Sequence, residues 1–226
     1  MARLRRVVLD RLIRYYRYLV DLTARQPVNS ITSAQLGAAL SVDASQVRKD
    51  FATLGIEGMS HVGYDACEVC RAIRAGVGFE HPYSSVLIGT GRLGGAILAA
   101  TEFERYGLRI VAVFDSDPFK VGRRIEGRTI MPLDDLTLFI RENAIPLAIL
   151  TTPAEAAQPL ADVLVICGVK AIWNFTPVRL TVPRGVLARN ERLSAGLAEI
   201  AYHLRPSVPA PAHPTECVGT GRGADS

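Results

Sequence analysis

Long apolar runs are missing from this sequence. No stretch of the 226 residues reaches the roughly 18 to 20 apolar residues that a membrane span needs, so no membrane partner is expected. Cysteine is scarce, with Cys67, Cys70, Cys167 and Cys217 making four. The N-terminal stretch Met1-Ala2-Arg3-Leu4-Arg5-Arg6 leads into an amphipathic pattern rather than an apolar signal core. A disulfide framework is therefore not expected, and the expected location is the cytoplasm. Cys67-Glu-Val-Cys70 is a CxxC without a second pair or a histidine cluster to complete a zinc site. It reads as two half-buried helix cysteines, and no metal is expected. Disorder is excluded as well, because 49% of the residues are hydrophobic and can fill packed cores.

The net charge of +4 looks modest until it is located. Residues 1–64 hold nine Arg and Lys against five acids, and the remainder holds 17 of each sign. A basic segment joined to a neutral one suits phosphate-backbone binding by the first segment alone, although a solvated arginine-rich helix face gives the same count. From Arg5 to Arg25 the apolar residues Val8, Leu9, Leu12, Ile13, Tyr16, Leu19 and Val20 recur at three and four, the face of one long helix. Pro27 ends it. Thr32-Ser33-Ala34-Gln35 is a capping box for a short helix to Leu40. Asp43-Ala44-Ser45-Gln46 opens another, running to Leu54. Two short helices with a brief turn, packed on a longer one, form a helix-turn-helix. Gly55, Gly58 and Gly63, with Val62 and Tyr64, suit a small hairpin wing, and Asp65 caps a linking helix to Ala75.

Beyond Ser84 the texture changes. Apolar strands at 85–88, 109–115, 147–150 and 170–173, with a short one at Thr129-Ile130, alternate with helices to Tyr106 and over 134–143 and 154–167. That alternation predicts a parallel sheet covered on both faces. The fold class is therefore α/β: an N-terminal winged helix-turn-helix domain (1–80), a Rossmann-type parallel-sheet domain (81–190), a C-terminal helix (191–205) and a disordered tail (206–226).

Gly89-Thr90-Gly91-Arg92-Leu93-Gly94 is GxGxxG. It follows a strand, opens a helix, and is followed by Asp115 at the end of the next strand, which is the setting that makes the pattern specific. The first glycine permits the turn, the second lets backbone N–H groups approach a pyrophosphate, and the third allows close helix–strand packing. Asp115 is expected to accept the ribose hydroxyls and to repel a 2′-phosphate, favouring NAD(H). Lys120, Arg123 and Arg124 keep an NADP(H) reading open. The four histidines, His61, His81, His203 and His213, all lie outside these loops. A dehydrogenase needs a proton donor or acceptor beside the nicotinamide, so a cofactor site without one reads as a sensor, not an enzyme.

With a helix-turn-helix in front of this unit, the chain resembles the Rex family of redox-sensing transcriptional repressors. The residues that carry the resemblance run from Arg11-Leu12 and Tyr15–Leu19 through Gln46–Phe51, Gly63-Tyr64-Asp65 and Gly89–Gly94. They continue through Phe114–Pro118, Val121-Gly122, Leu150–Gln158, Asn174–Leu180 and Val182-Pro183. The resemblance implies a homodimer that exchanges its last helix, binds a palindromic operator in double-stranded DNA, and releases it when NADH binds. It implies that Thr152, Pro153 and Asn174 join the glycine loop and Asp115 at the cofactor. It implies that Ser45, Gln46, Arg48 and Lys49 meet DNA, with Ser60 and His61 in the wing where the family carries an Arg-Gly pair. Asp50 is read as a surface charge or an intradomain partner of an arginine on the first helix rather than a DNA contact, since phosphate repels a carboxylate. Two further positions depart from the family: Ala100 stands for a tyrosine that shields the nicotinamide, and Arg192 for an aspartate that pairs with the arginine here numbered Arg17. These departures motivate one alternative, a divergent paralogue with an altered NADH response. The others are a small NAD-dependent oxidoreductase whose first helices dimerise, and a DNA-binding protein with a vestigial Rossmann fold.

Overall fold

The computed structural model describes residues 4–60, 62–191 and 193–205. His61, Arg192, Cys217 and the tail expected to be disordered lie outside the described residues. Two compact units emerge, Met1–Asn190 and Glu191–Ser226. No helix among the described residues is long and apolar enough to cross a membrane.

The first unit begins with α1 (Arg6–Arg25). Its Leu12, Tyr15, Tyr16 and Leu19 are buried, the stripe that the three-and-four spacing dictates. Then come β1 (Ser30–Ile31), α2 (Ser33–Leu40), α3 (Ala44–Ala52), β2 (Tyr64–Asp65) and α4 (Ala66–Val77). Thr32 and Gln35 form the expected capping box at α2, and Asp43 caps α3 by accepting from the Ser45 amide. Phe51 meets Tyr15 and Tyr64 edge-on at 5.7 and 4.9 Å, closing a core with Leu36, Val47, Val69 and Ile73. The wing differs from the expected hairpin. Met59 faces Gly63 in a single bridge, while Tyr64 and Asp65 pair antiparallel with Ile31 and Ser30. A two-residue strand has no alternation to read, so β1 leaves no sequence signal.

The second half of this unit holds β3 (Tyr83–Ile88), α5 (Arg92–Ala99), β4 (Leu108–Asp115), β5 (Arg124–Ile125) and β6 (Arg128–Pro132). It continues with α6 (Leu136–Glu142), β7 (Leu147–Leu150), α7 (Ala154–Ile166), β8 (Ala171–Asn174) and β9 (Leu187–Asn190). The strand order is β5-β6-β4-β3-β7-β8-β9, parallel except for the β5–β6 hairpin. One face buries Val86, Ile88, Phe114 and Leu150 under α6 and α7, and the other buries Leu87, Val113 and Ile149 with Ile97 and Leu98 of α5. The helix expected to run to Tyr106 stops at Ala99, and residues Thr101–Tyr106 continue as a 3-10 turn. Arg74 of α4 donates to the Tyr16 hydroxyl at 3.0 Å and to the carbonyls of Arg105 and Phe79 at 3.3 Å. Tyr106 packs on Tyr16 and Phe79, so α1 and the turn after α5 share one aromatic cluster.

In the second unit α8 (Leu193–Leu204) leaves Leu197, Ile200 and Leu204 more than half exposed. Their spacing of three and four puts them on one face.

Candidate functional site

The order β4-β3-β7 places the carboxyl ends of the central strands beside the N-terminus of α5, the crevice where open α/β sheets bind ligands. Three glycines shape it, each for a different reason. Gly89 has φ +97°, and a Cβ there would lie 2.8 Å from the Thr151 carbonyl oxygen, so both conformation and space require glycine. A Cβ on Gly94 would sit 2.1 Å from the Gly89 carbonyl oxygen, which is the close helix–strand contact. Gly91 has an ordinary φ of −70°, and a Cβ there would meet nothing within 4 Å. Neither the fold nor packing demands glycine at Gly91, and what a side chain would fill is the space in front of the loop.

That space belongs to a cavity of about 460 Å³ lined by Gly89, Gly91, Asp115, Thr152, Pro153 and Leu160, among others. Asp115, at the end of β4, is 7% exposed. Its Oδ2 accepts from the Thr90 amide (2.8 Å), the Thr90 hydroxyl (2.6 Å) and Lys120 Nζ (3.0 Å), and its Oδ1 accepts from the Asp117 amide (2.9 Å). Burial opposes the charge, but Thr90, the Asp117 amide and Lys120 outweigh it and hold the carboxyl well below the usual range. Thr151 Oγ1 donates to the Gly89 carbonyl at 2.6 Å, bracing the loop from β7. Thr152 Oγ1 is buried without a hydrogen-bond partner, although buried hydroxyls are normally satisfied. An open cradle at Gly91, a carboxylate at the strand end and an orphaned hydroxyl on the wall fit a dinucleotide. The glycine-loop amides would face its phosphates and Asp115 its ribose.

Other residues expected here are placed differently. Arg92 is exposed and Leu93 is 37% exposed, both in the first turn of α5. Asn174 is fully buried. Its Nδ2 donates to the Val178 carbonyl and to Asn190 Oδ1, each at 2.8 Å, and its Oδ1 accepts from the Thr176 amide and hydroxyl. Every hydrogen-bonding position of its side chain is thus taken. The expectation of a cofactor-contacting Asn174 side chain is corrected on that ground: it pins β9 and the 175–180 loop. Ala100, at the end of α5, carries no ring to shield a ligand.

Among the described residues no histidine lines this cavity, and its titratable residues, Asp115, Asp117 and Lys120, are paired with one another. Among the described residues no group of His, Cys, Asp or Glu could hold a metal ion. Cys67 is exposed rather than half-buried, and burial pushes the Cys70 thiol up to about 11, which makes it a poor nucleophile.

Among the N-terminal helices, α3 presents Ser45, Arg48 and Lys49 to solvent. Arg48 donates to Ser33 Oγ at 3.1 Å. Ser60 is exposed in the wing. Asp50 points the opposite way and is 1% exposed. It accepts from Arg11 Nε (2.6 Å) and Nη2 (2.7 Å), Tyr15 Oη (2.9 Å) and Gln46 Nε2 (2.9 Å). Desolvation opposes its charge, yet Arg11, Gln46 and Tyr15 prevail and keep the carboxyl below its ordinary value. Asp50 is therefore the intradomain partner of a first-helix arginine, and Gln46, expected to face DNA, spends its amide N–H inside the domain. The roles of Asp117 and Thr151 have no local pattern to mark them: Asp117 acts through the geometry of the turn that joins it to Asp115 and Lys120, and Thr151 through a contact from β7 to the glycine loop.

Residues 6–52 match the family described as putative DNA-binding protein N-terminus, and residues 80–178 the family described as CoA binding domain. The chain is 37% identical over 200 residues to the redox-sensing transcriptional repressor Rex of Clostridium beijerinckii, covering 88% of this chain and 94% of that one. It is 38% identical over 197 residues to the protein of the same name from a Thermoanaerobacter species, covering 87% and 88%. Among solved structures, RSP, a Rex-family repressor, in complex with β-NAD+ and operator DNA is 36% identical. It superposes with a TM-score of 0.84 over 90% of this chain and 94% of that one. The β-NADH complex of RSP gives 35% identity and a TM-score of 0.80 over 90% and 95%.

Proposed function

The chain belongs to the Rex family of redox-sensing transcriptional repressors, and from that premise we propose that it represses transcription by binding operator DNA and senses the NADH/NAD+ ratio through its glycine-loop cavity. It works as a homodimer in the cytoplasm, and its function is binding rather than turnover. The observation that carries this reading is the cavity of about 460 Å³ with open space in front of Gly91 and an unpartnered Thr152 hydroxyl.

The domains divide as residues 1–80, which read DNA, and 81–190, which hold NAD(H). Gly91, Arg92, Leu93 and Gly94 offer backbone amides and the positive end of α5 to the pyrophosphate, while Gly89 and Thr90, whose amides are taken by the Phe114 carbonyl and Asp115, shape the loop beneath it. Asp115 takes the ribose, and Thr152 and Pro153 close the wall. Lys49 and Arg48 neutralise phosphates or reach base edges from the exposed side of α3, with Ser45 beside them, and Ser60 and His61 are the remaining proposed DNA contacts. Adjacent residues on a helix lie about 100° apart, so Arg48 and Lys49 divide these two tasks between them. The half-exposed apolar face of α8 is what a second copy covers, and a two-fold dimer matches a palindromic site. When bound, the dinucleotide supplies only a redox-dependent shape and charge.

The test is fluorescence anisotropy of a labelled family-type operator at fixed salt, adding NADH and then NAD+. Release by NADH and not by NAD+ is the expected result. DNA binding that ignores both nucleotides would replace this reading with that of a divergent paralogue.

A further inference from the structure

One ammonium and two carboxylates share the solvent edge of the glycine-loop cavity. Lys120 Nζ lies 3.0 Å from Asp115 Oδ2 and 3.9 Å from Asp117 Oδ2, and all three residues line the cavity. An ionised carboxylate offers about four acceptor positions, two on each oxygen. Asp115 Oδ2 already takes three donors, and Oδ1 takes one. A ribose diol brings two hydroxyl donors. Oδ1 has room for one of them, and the other needs Oδ2. The two Thr90 donors are built into the loop, whereas Lys120 is a long, flexible side chain that is 38% exposed. Lys120 is the partner that can give way, and Asp117 Oδ2 stands within reach to receive it.

We propose that Lys120 and Asp117 form a specificity element at the ribose end of the dinucleotide. Lys120 shifts from Asp115 to Asp117 when a diol binds, and Asp117 supplies the negative charge that excludes a 2′-phosphate. The proposal rests on the NAD(H) reading above and says which dinucleotides that site admits. Asp115 and Lys120 alone would sum to zero, and a 2′-phosphate would find an available ammonium. Adding Asp117 brings the trio to one net negative charge. Arg123 and Arg124 do not line the cavity, and Arg124 donates to the Gly127 carbonyl at 2.8 Å. The cluster of basic residues that favoured NADP(H) in the sequence is thereby reduced to one lysine facing two acids.

The experiment is calorimetric titration of the full chain and two variants with NADH and with NADPH. Asp117→Asn keeps an oxygen for the Phe119 amide, which Asp117 Oδ1 accepts at 2.9 Å, so the local turn survives. This variant should raise the NADPH-to-NADH affinity ratio about tenfold, as loss of one screened charge a few ångströms from a phosphate predicts. Lys120→Met should lower the ratio, and the double variant should return toward the parent value. An unchanged ratio in Asp117→Asn, or a raised one in Lys120→Met, overturns the proposal while leaving NAD(H) binding intact. A parent chain that binds neither nucleotide overturns the NAD(H) reading and this proposal with it.

Discussion

Replacing Asp50 with Asn should weaken the helices around α1 and α3 without disturbing the sheet. Asp50 is 1% exposed and receives four hydrogen bonds, two of them from Arg11. An amide in its place has one acceptor oxygen and turns an NH2 group toward donors. Removing one partner of a buried ion pair costs about 3–5 kcal/mol. Arg11 is 19% exposed on its side chain and can recover some water, so the lower end, about 3 kcal/mol, is expected. For a segment the size of residues 1–80 each kcal/mol shifts the melting temperature by about 4–8 °C, so if that segment melts by itself a loss of roughly 12 °C or more should follow. The assay pairs two probes during thermal unfolding. Far-UV circular dichroism sees the helices of both halves. Trp173, the single tryptophan, sits on β8 against Phe103 and Phe175 and reports the sheet. Asp50→Asn should pull part of the dichroism transition to lower temperature and leave the Trp173 transition in place. A shift of less than about 1 kcal/mol would refute the ion-pair account, since that is no more than an exposed pair contributes. The pH dependence has a definite sign. Asp50 titrates below its unfolded value, so its stabilisation is complete above about pH 4 and fades as pH falls through the lowered value. The parent should lose its N-terminal transition in acid, and the variant should lack that dependence.

Three further outcomes follow from the geometry. Gly91→Ala should melt within about 0.5 kcal/mol of the parent, because its Cβ meets nothing, yet bind NADH at least tenfold more weakly; Gly94→Ala should instead be strongly destabilised, and equal melting of the two would contradict the contacts described. Thr152→Val removes a hydroxyl with no partner, so thermal stability should hold or rise while NADH affinity falls by about three- to tenfold, the value of one hydrogen bond; a lower melting temperature would show the hydroxyl to be satisfied. Lys49→Ala should weaken operator binding across sequences and reduce the salt slope by about one, and an unchanged slope would remove Lys49 from the phosphate contacts.

Much of this was legible in the sequence because it is local. The stripe of Leu12, Tyr16 and Leu19 fixes α1, Thr32 with Gln35 marks the start of α2, and strand, glycine loop and Asp115 fall in chain order around the cavity. Charge logic kept Asp50 off the DNA, and only the packing of α3 on α1 decided between a surface charge and an inward pair. What escaped is non-local or too short. β1 and β5 have two residues each, and β9 ends in Arg189-Asn190, whose polar residues read as a loop on an edge strand. Asn174 stands in a matched loop, and nothing in its neighbours reveals that Thr176, Val178 and Asn190 exhaust its amide. Lys120 lies five residues from Asp115, close enough to be counted as a nearby cation. That it sits on the carboxylate itself depends on the turn begun by Asp117.

The clasp around Asp50 limits how the molecule can be controlled. α3 is nine residues long, and Asp50 ties its inner face to α1. Releasing that clasp takes several kcal/mol, more than the roughly 1–3 kcal/mol that allosteric effectors usually transmit. A ligand at the glycine loop therefore lacks the leverage to bend or melt the reading helix. It can only relocate the whole head, as one moves a stamp without recarving its face. On the proposed reading each head would keep its preference for bases whatever the redox state, and the quantity under control would be the separation between two heads. An isolated half-site should then be blind to NADH, and only an operator with both halves should register it.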